Sequence, residues 1–366
     1  MPVLNLHLNA VDLTEALCNI ESVSGNEAAI ADAIESALDE LAHLEVTRDG
    51  NAIVARTNLG RARRVVIAGH IDTVPVANNL PIERSKDTAT GQDMLVGRGT
   101  VDMKAGVAVQ LRLAAKLIEP NVDLTFIFYD NEEVDASLNG LGRLSRNHPD
   151  LLKADFAILG EPTSAQIEGG CNGTMRVEVV TKGVKAHSAR PWMGSNAIHS
   201  AAPALATLAA HEPLELEVDG LVYRESLNAV VINGGIATNV IPDECVITVN
   251  YRFAPSRNAS AAEAYVREVF AGTPNIAEIR VVDLAEGARP GLDLPEAASF
   301  ARATGFEARP KYGWTDVARF SSMNVPAVNF GPGNPSLAHA DNEAVAIAEI
   351  YACEEALTKW LTSYTL

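Results

Sequence analysis

The chain has 366 residues, 47% of them hydrophobic, enough to fill more than one core because single cores rarely grow beyond roughly 250–300 residues. Acidic residues outnumber basic ones 47 to 29 for a net charge of -18, which argues against a nucleic-acid or anionic-membrane surface and for a small-molecule or protein partner. The opening residues lack a basic stretch followed by an apolar one, no run of about 18 apolar residues occurs, and Cys18, Cys171, Cys245 and Cys353 have no C-x-x-C spacing, so a soluble, cytoplasmic chain with reduced cysteines is expected.

In chain order, Ser24 followed by Glu27 has the form of a capping box, and Ile30, Ile34, Ala37, Leu38 and Leu41 then recur at helical spacing, so a helix is predicted there. Short strands are predicted over Leu44–Arg48 and Ala52–Thr57. Val65-Val66-Ile67-Ala68 is a continuous apolar run of the kind buried on both faces of a parallel sheet, with His70 just past its end. A helix from Asp102 to about Ile118, a strand Leu124–Tyr129, a helix Leu138–Arg146 and a strand Phe156–Leu159 continue the alternation. Strand and helix in alternation imply right-handed crossovers and a largely parallel sheet.

After Gly173 the rhythm becomes strand Met175–Thr181, helix Asn196–His211, strands Asn228–Ile232 and Val246–Phe253, helix Ala261–Phe270 and strand Glu278–Val282. That βαββαβ order predicts an inserted ferredoxin-like α+β domain at 174–287, between a first part of the α/β domain at 1–173 and a second at 288–366. The second part is predicted to hold helix Leu294–Thr304, a short strand before Lys311, helix Thr315–Ser322, strand Val325–Phe330 and helix Asn342–Ser363.

In open α/β sheets ligands gather beyond the carboxyl ends of the strands. His70, Glu132, Glu133, Glu161 and His339 all fall there, and Asp102 precedes the helix between two strands. His70, Asp102, Glu133, Glu161 and His339 read together as the ligand set of a two-metal hydrolase. Imidazoles with carboxylates and no thiolate suit zinc, and a carboxylate shared by two ions is the usual means of activating a water. Asp72, two residues after His70, is placed to accept the ring N–H and orient it. Glu132 and Glu133 are adjacent, so their side chains diverge and one can coordinate while the other serves as general base, a role that falls to Glu132. Each position taken alone has a plainer reading: a solvated acidic turn at 130–135, a helix cap at Asp102, a structural turn at Gly69-His70 and a surface turn at Glu161-Pro162. Their joint placement at strand ends favours a site.

These stretches, with Gly97-Arg-Gly-Thr-Val-Asp-Met-Lys104, Gly313-Trp-Thr-Asp-Val-Ala-Arg-Phe320 and Gly183-Val-Lys-Ala-His-Ser-Ala-Arg-Pro191, resemble the zinc-dependent aminoacylase, carboxypeptidase and deacylase superfamily over nearly the whole chain, and within it the succinyl-diaminopimelate desuccinylases. The resemblance implies an inserted lid that also makes a homodimer, and two zinc ions per subunit with cobalt as a substitute. It assigns one ion to His70 and Glu161 and the other to Glu133 and His339, with Asp102 bridging and a cis peptide after it. It further implies that His187 stabilises an oxyanion from across a dimer, with Asn239 assisting, and that Arg252 and Thr315 contact an N-acyl amino acid substrate, Arg252 through its carboxylate. The chain departs from many desuccinylases just before the lid, where Gly169-Gly-Cys-Asn-Gly-Thr174 replaces basic residues; Asn172, Arg176 and Arg190 are the candidates to compensate. Acetylornithine deacetylases and dipeptidases of the same superfamily are the nearest alternatives.

Overall fold

Val65-Val66-Ile67-Ala68 forms the middle of strand Arg64–His70, which lies between two parallel neighbours, Asp123–Tyr129 and Phe156–Leu159, in the computed structural model, which describes residues 2–363. The strand is buried from Val65 to its last residue, His70, because both faces are covered. Ala327–Asn329 continues the parallel set beyond Phe156–Leu159. Antiparallel strands flank these four, Glu45–Asp49 and Ala52–Arg56 beyond Asp123–Tyr129 and Ile167–Gly169 beyond Ala327–Asn329, and Ala308–Pro310 next to Ile167–Gly169 completes an eight-stranded sheet. Since the central four run the same way, His70, Tyr129, Leu159 and Asn329 all end at one edge.

Helix Lys104–Lys116 is buried along most of its length and packs against strand Arg64–His70, where the Gln110 amide donates to the Ala68 carbonyl at 2.7 Å. The approach is close enough that a Cβ on Gly106 would stand 2.2 Å from the Gly160 carbonyl oxygen, and one on Gly331 only 2.3 Å from the same atom. Glycine at both places therefore sets how near the helix and the 331 loop come to the strand ends. Phe156, Phe300, Phe330 and Trp360 pack edge-on or tilted deeper in the same core, with centroids from 5.0 to 6.4 Å apart.

This first unit runs to Gly169 and takes in Gly291–Arg309 and the chain from Arg319 onward; the second comprises Gly170–Pro290 and Pro310–Ala318. The stretch Pro310–Ala318 thus belongs with the insertion, outside the boundaries 174–287 read from the sequence. In the second unit a four-stranded antiparallel sheet runs in the order Ser226–Gly234, Glu244–Phe253, Gly173–Lys182, Ile276–Ala285, the ferredoxin-like arrangement that βαββαβ predicts. Its own core includes Val177, Val179, Ile247, Val249, Tyr251 and Phe253. Among the described residues no helix is long and apolar enough to cross a membrane.

Several local readings need correction. Ser24 does not cap a helix: helix Ala28–Asp39 starts from Glu27 with no side-chain cap, and the Glu27 carboxylate instead accepts the Gly25 N–H at 2.7 Å. The helix expected over 196–211 divides into Ala197–Ser200 and Ala202–Ala209, with Pro203 in the first turn of the second piece, where its missing N–H does no harm. Helix Ala10–Cys18, capped by Asn9, and a three-stranded sheet of Glu83–Lys86, Asp93–Val96 and Ala344–Ala346 are additional to the sequence reading. The exposed Glu-Arg-Ser-Lys of the first of these strands carries no hydrophobic alternation to find.

In a free helix Gly106→Ala would gain about 1 kcal/mol. Here the added methyl meets backbone, so the variant is expected to lose about 1–3 kcal/mol, read as a lower urea midpoint at unchanged slope.

Candidate active site

Asp72 is buried, and both its oxygens are engaged. Oδ1 accepts the Glu132 N–H at 3.0 Å and lies 3.5 Å from His70 Nδ1, while Oδ2 accepts the Glu133 N–H at 3.2 Å and the Ser24 hydroxyl at 2.7 Å. His70 Nδ1 also lies 3.1 Å from the Asp72 carbonyl oxygen, so this nitrogen carries a proton and Nε2 faces the other way. Asp72 therefore orients His70 and, in addition, holds the backbone of both candidate glutamates. Burial alone would raise its pKa, but the bond and charge of His70 outweigh that and lower it. Ser24 is the partner the sequence reading misses: its motif suggests a cap, and nothing local points to a group 48 residues away.

Asp102 sits just before helix Lys104–Lys116, but Met103 occupies the capping position and no side-chain cap bond forms, so the carboxylate is free for other partners. The Asp102–Met103 peptide is cis. One imidazole faces each carboxylate oxygen: His70 Nε2 is 3.0 Å from Oδ1 and His339 Nε2 is 3.4 Å from Oδ2. His339 Nε2 also lies 3.0 Å from Glu133, whose side chain is only 7% exposed. Donor atoms of His70, Asp102 and Glu133 all fall within 4.8 Å of one another. The half-buried Glu133 and the backbone bonds to Asp72 replace the solvated acidic turn that composition alone suggests.

Glu161 enters from the neighbouring strand. Ala68 pairs with Leu159 in parallel register, so Glu161 stands two positions beyond the pair, level with His70, and it is buried. Glu132 is half-buried next to Glu133. Side-chain contacts thus join His70, His339, Asp102 and Glu133, while Glu132 and Glu161 stand on the same strand-end loops.

Such a density of like charge needs cations. Burial disfavours a charged His70, yet bonds to Asp102 and Asp72 hold its pKa well above the ordinary imidazole value. Bonds to Asp102 and Glu133 push His339 up to about 10. Burial would raise Asp102, but His339 and His70 pull it well below the usual carboxylate range. Imidazole and carboxylate donors converging on one shared carboxylate, with all four cysteines buried elsewhere, fit divalent ions of zinc-like chemistry.

Within the second unit, His187 pairs with Val240 across a short antiparallel bridge, and the Ser188 N–H donates to the Asn239 carbonyl at 2.9 Å, so the two predicted lid residues are neighbours. His187 Nδ1 accepts the Ala189 N–H at 3.1 Å, leaving Nε2 as the donating nitrogen. Arg252 lies on strand Glu244–Phe253, and no carboxylate pairs with it among the described residues; burial and the charge of Arg176 lower its pKa. Arg176 itself is taken by Asp283 at 2.7 Å, and the Asn172 amide donates to the Arg224 carbonyl at 2.9 Å. Of these, Arg252 is the cation without a counter-ion. Thr315 is buried, and its carbonyl faces the Cys171 thiol at 3.7 Å.

Residues 66–363 match the family described as Peptidase family M20/M25/M40. A Corynebacterium glutamicum (strain ATCC 13032) protein named succinyl-diaminopimelate desuccinylase is 46% identical over 369 residues, spanning 99% of this chain and 98% of its own. A Mycobacterium tuberculosis (strain ATCC 25618 / H37Rv) protein provisionally named succinyl-diaminopimelate desuccinylase DapE is 50% identical over 360 residues, spanning 98% and 99%. Among solved structures, aminopeptidase PepT from Bacillus cereus ATCC 10987 superposes with a TM-score of 0.77 at 20% identity over 98% of both chains. The family M20 metallo-carboxypeptidase Sso-CP2 from Sulfolobus solfataricus does so with 0.75 at 17% identity, over 97% of this chain and 99% of that one. The last two likenesses are of fold alone. With a strand-end cluster able to hold a metal, the match over 66–363 and relatives at 46% and 50% identity along its length, this chain belongs to the M20/M25/M40 family of metallohydrolases.

Proposed function

We propose that the protein hydrolyses the amide of N-succinyl-LL-2,6-diaminopimelate to succinate and LL-2,6-diaminopimelate, acting as a cytoplasmic homodimer. The observation that carries the hydrolase chemistry is the Asp102 carboxylate with an imidazole at each oxygen. What supports the substrate is the near full-length identity to proteins named for that reaction. Two divalent ions, zinc by the donor chemistry with cobalt as a substitute, would be held by His70 and Glu161 at one position and Glu133 and His339 at the other, with Asp102 shared, and would supply polarisation of the amide carbonyl and acidification of a water.

Glu132 takes a proton from the attacking water, whose oxygen bonds to the amide carbon. His187, supplied by the second copy, donates from Nε2 to the developing oxyanion, with Asn239 beside it. As the C–N bond breaks, Glu132 returns the proton to the leaving amine. Arg252 pairs with a substrate carboxylate, for which its lack of a counter-ion among the described residues suits it, and Thr315 contributes to the substrate site. Strand Ser226–Gly234, at the edge of its sheet with Val230, Val231 and Ile232 exposed, offers the unpaired backbone that suits association with a second copy.

Glu132→Gln is expected to lower turnover by roughly 100- to 10,000-fold while zinc uptake stays at the level of the unsubstituted protein; near-normal rates would remove Glu132 from the base role. On a panel of succinyl-diaminopimelate, acetylornithine and dipeptides, kcat/KM is expected to be highest for the first, and preference for either of the others would move the acyl assignment.

Metal binding should also depend on pH with a definite sign. The raised His70 and His339 values mean that their imidazolium pairs stabilise the metal-free site fully below pH 6.5 and are lost as pH rises through the folded values, about 10 for His339. The lowered Asp102 value adds stability that is present above 3.8 and lost on acidification below it. A dication must displace the imidazole protons, so zinc affinity is expected to climb between about pH 6 and 8, by roughly tenfold per unit for each proton displaced, with protons released on titration. Affinity independent of pH over that range would contradict it.

A further inference from the structure

Arg98 and Glu343, 245 residues apart in the chain, are both buried and joined by an Nη1–Oε2 hydrogen bond of 2.8 Å. We propose that this pair is a positioning device for the metal-binding loops, setting where Asp102 and His339 stand relative to each other; the inference rests on the metal-hydrolase reading above. Glu343 Oε1 accepts the N–H of Val101 at 2.8 Å and of Asp102 itself at 3.1 Å, and the Glu343 carbonyl accepts the Gly97 N–H at 2.8 Å. Arg98 reaches the other two loops: Nη1 donates to the Ala340 carbonyl at 3.3 Å and Nε to the Pro75 carbonyl at 3.2 Å. The loop after His70, the loop that delivers Asp102 and the loop that carries His339 are tied by these two side chains.

The plainer reading is a salt bridge that merely holds the fold. Burying two charges costs more than their attraction returns unless hydrogen bonds occupy the remaining positions, and an apolar pair of similar volume would often stabilise as well. An apolar pair would not supply direction. Here one carboxylate oxygen sits on the backbone N–H of the residue whose side chain faces both imidazoles, and a planar guanidinium spans two further loops. His339 adds a specific need. Its φ of 65° lies in the left-handed region, which a non-glycine residue keeps only where its surroundings enforce it, and Arg98 grips the carbonyl of the very next residue.

Two variants of the full chain test this: Glu343→Gln, and Arg98→Met combined with Glu343→Leu, which replaces both charges by apolar groups. Zinc affinity of the metal-free proteins is measured by competition with a chromophoric chelator, with urea unfolding giving the folded fraction under the same conditions. Binding is expected to weaken by roughly 10- to 100-fold in both after correction for that fraction, and kcat to fall while KM on the succinyl substrate stays within about twofold. Affinity close to that of the unsubstituted protein in either folded variant, or a loss that only tracks the unfolded fraction, overturns the proposal. Should Glu343→Gln fail to fold, the paired variant decides. If the unsubstituted protein itself takes up no zinc, the metal reading falls and this inference with it.

Discussion

One carboxylate between two imidazoles is the constraint on which the site depends. Asp102 offers Oδ1 to His70 and Oδ2 to His339, bringing together positions from the early and late parts of the chain. A largely buried cluster that also contains Glu133 is self-repelling unless positive charge stands among the carboxylates. Protons on the imidazoles provide it in the metal-free protein, and dications would provide it in the working enzyme. The same electrostatic demand thus explains the raised imidazoles and the lowered Asp102.

The fold meets that demand by geometry before any side chain is chosen. Four parallel strands end at one edge, so their exit loops converge there. Glycine at 106, 160 and 331 allows helix Lys104–Lys116 and the loop before His339 to lie directly on the strand ends, where any Cβ would meet backbone or a neighbouring side chain. Asp72 then holds the loop after strand Asp123–Tyr129 against His70 through two backbone bonds. The second unit is built on the opposite plan, an antiparallel sheet with a separate core, in which Arg176 pairs with Asp283 while no carboxylate pairs with Arg252 among the described residues.

Much of this was legible in the residues. The uninterrupted apolar run at 65–68 marks a strand covered on both faces, and the βαββαβ rhythm after Gly173 leads to the observed ferredoxin-like sheet. The candidate site positions stood out because each follows a buried strand or precedes a buried helix. Other features were hidden for physical reasons. Ser24 and Glu27 form a local pattern that suits a cap, yet a buried aspartate 48 residues away competes for the hydroxyl and wins. Strand Glu83–Lys86 is exposed throughout, so its periodicity has nothing to record.

By itself the sequence determined the type of sheet, the order of its elements and the chemical kind of the donors, because burial and turn chemistry are written locally. Only the tertiary structure decided which donors meet. Whether Asp102 would cap its own helix or face two imidazoles, whether Glu133 would lie in solvent or against His339, and whether Arg252 would meet a carboxylate of its own unit depend on contacts across tens to hundreds of residues. Such contacts are set by packing and electrostatic balance over the whole first or second unit, and no local window of the chain contains them.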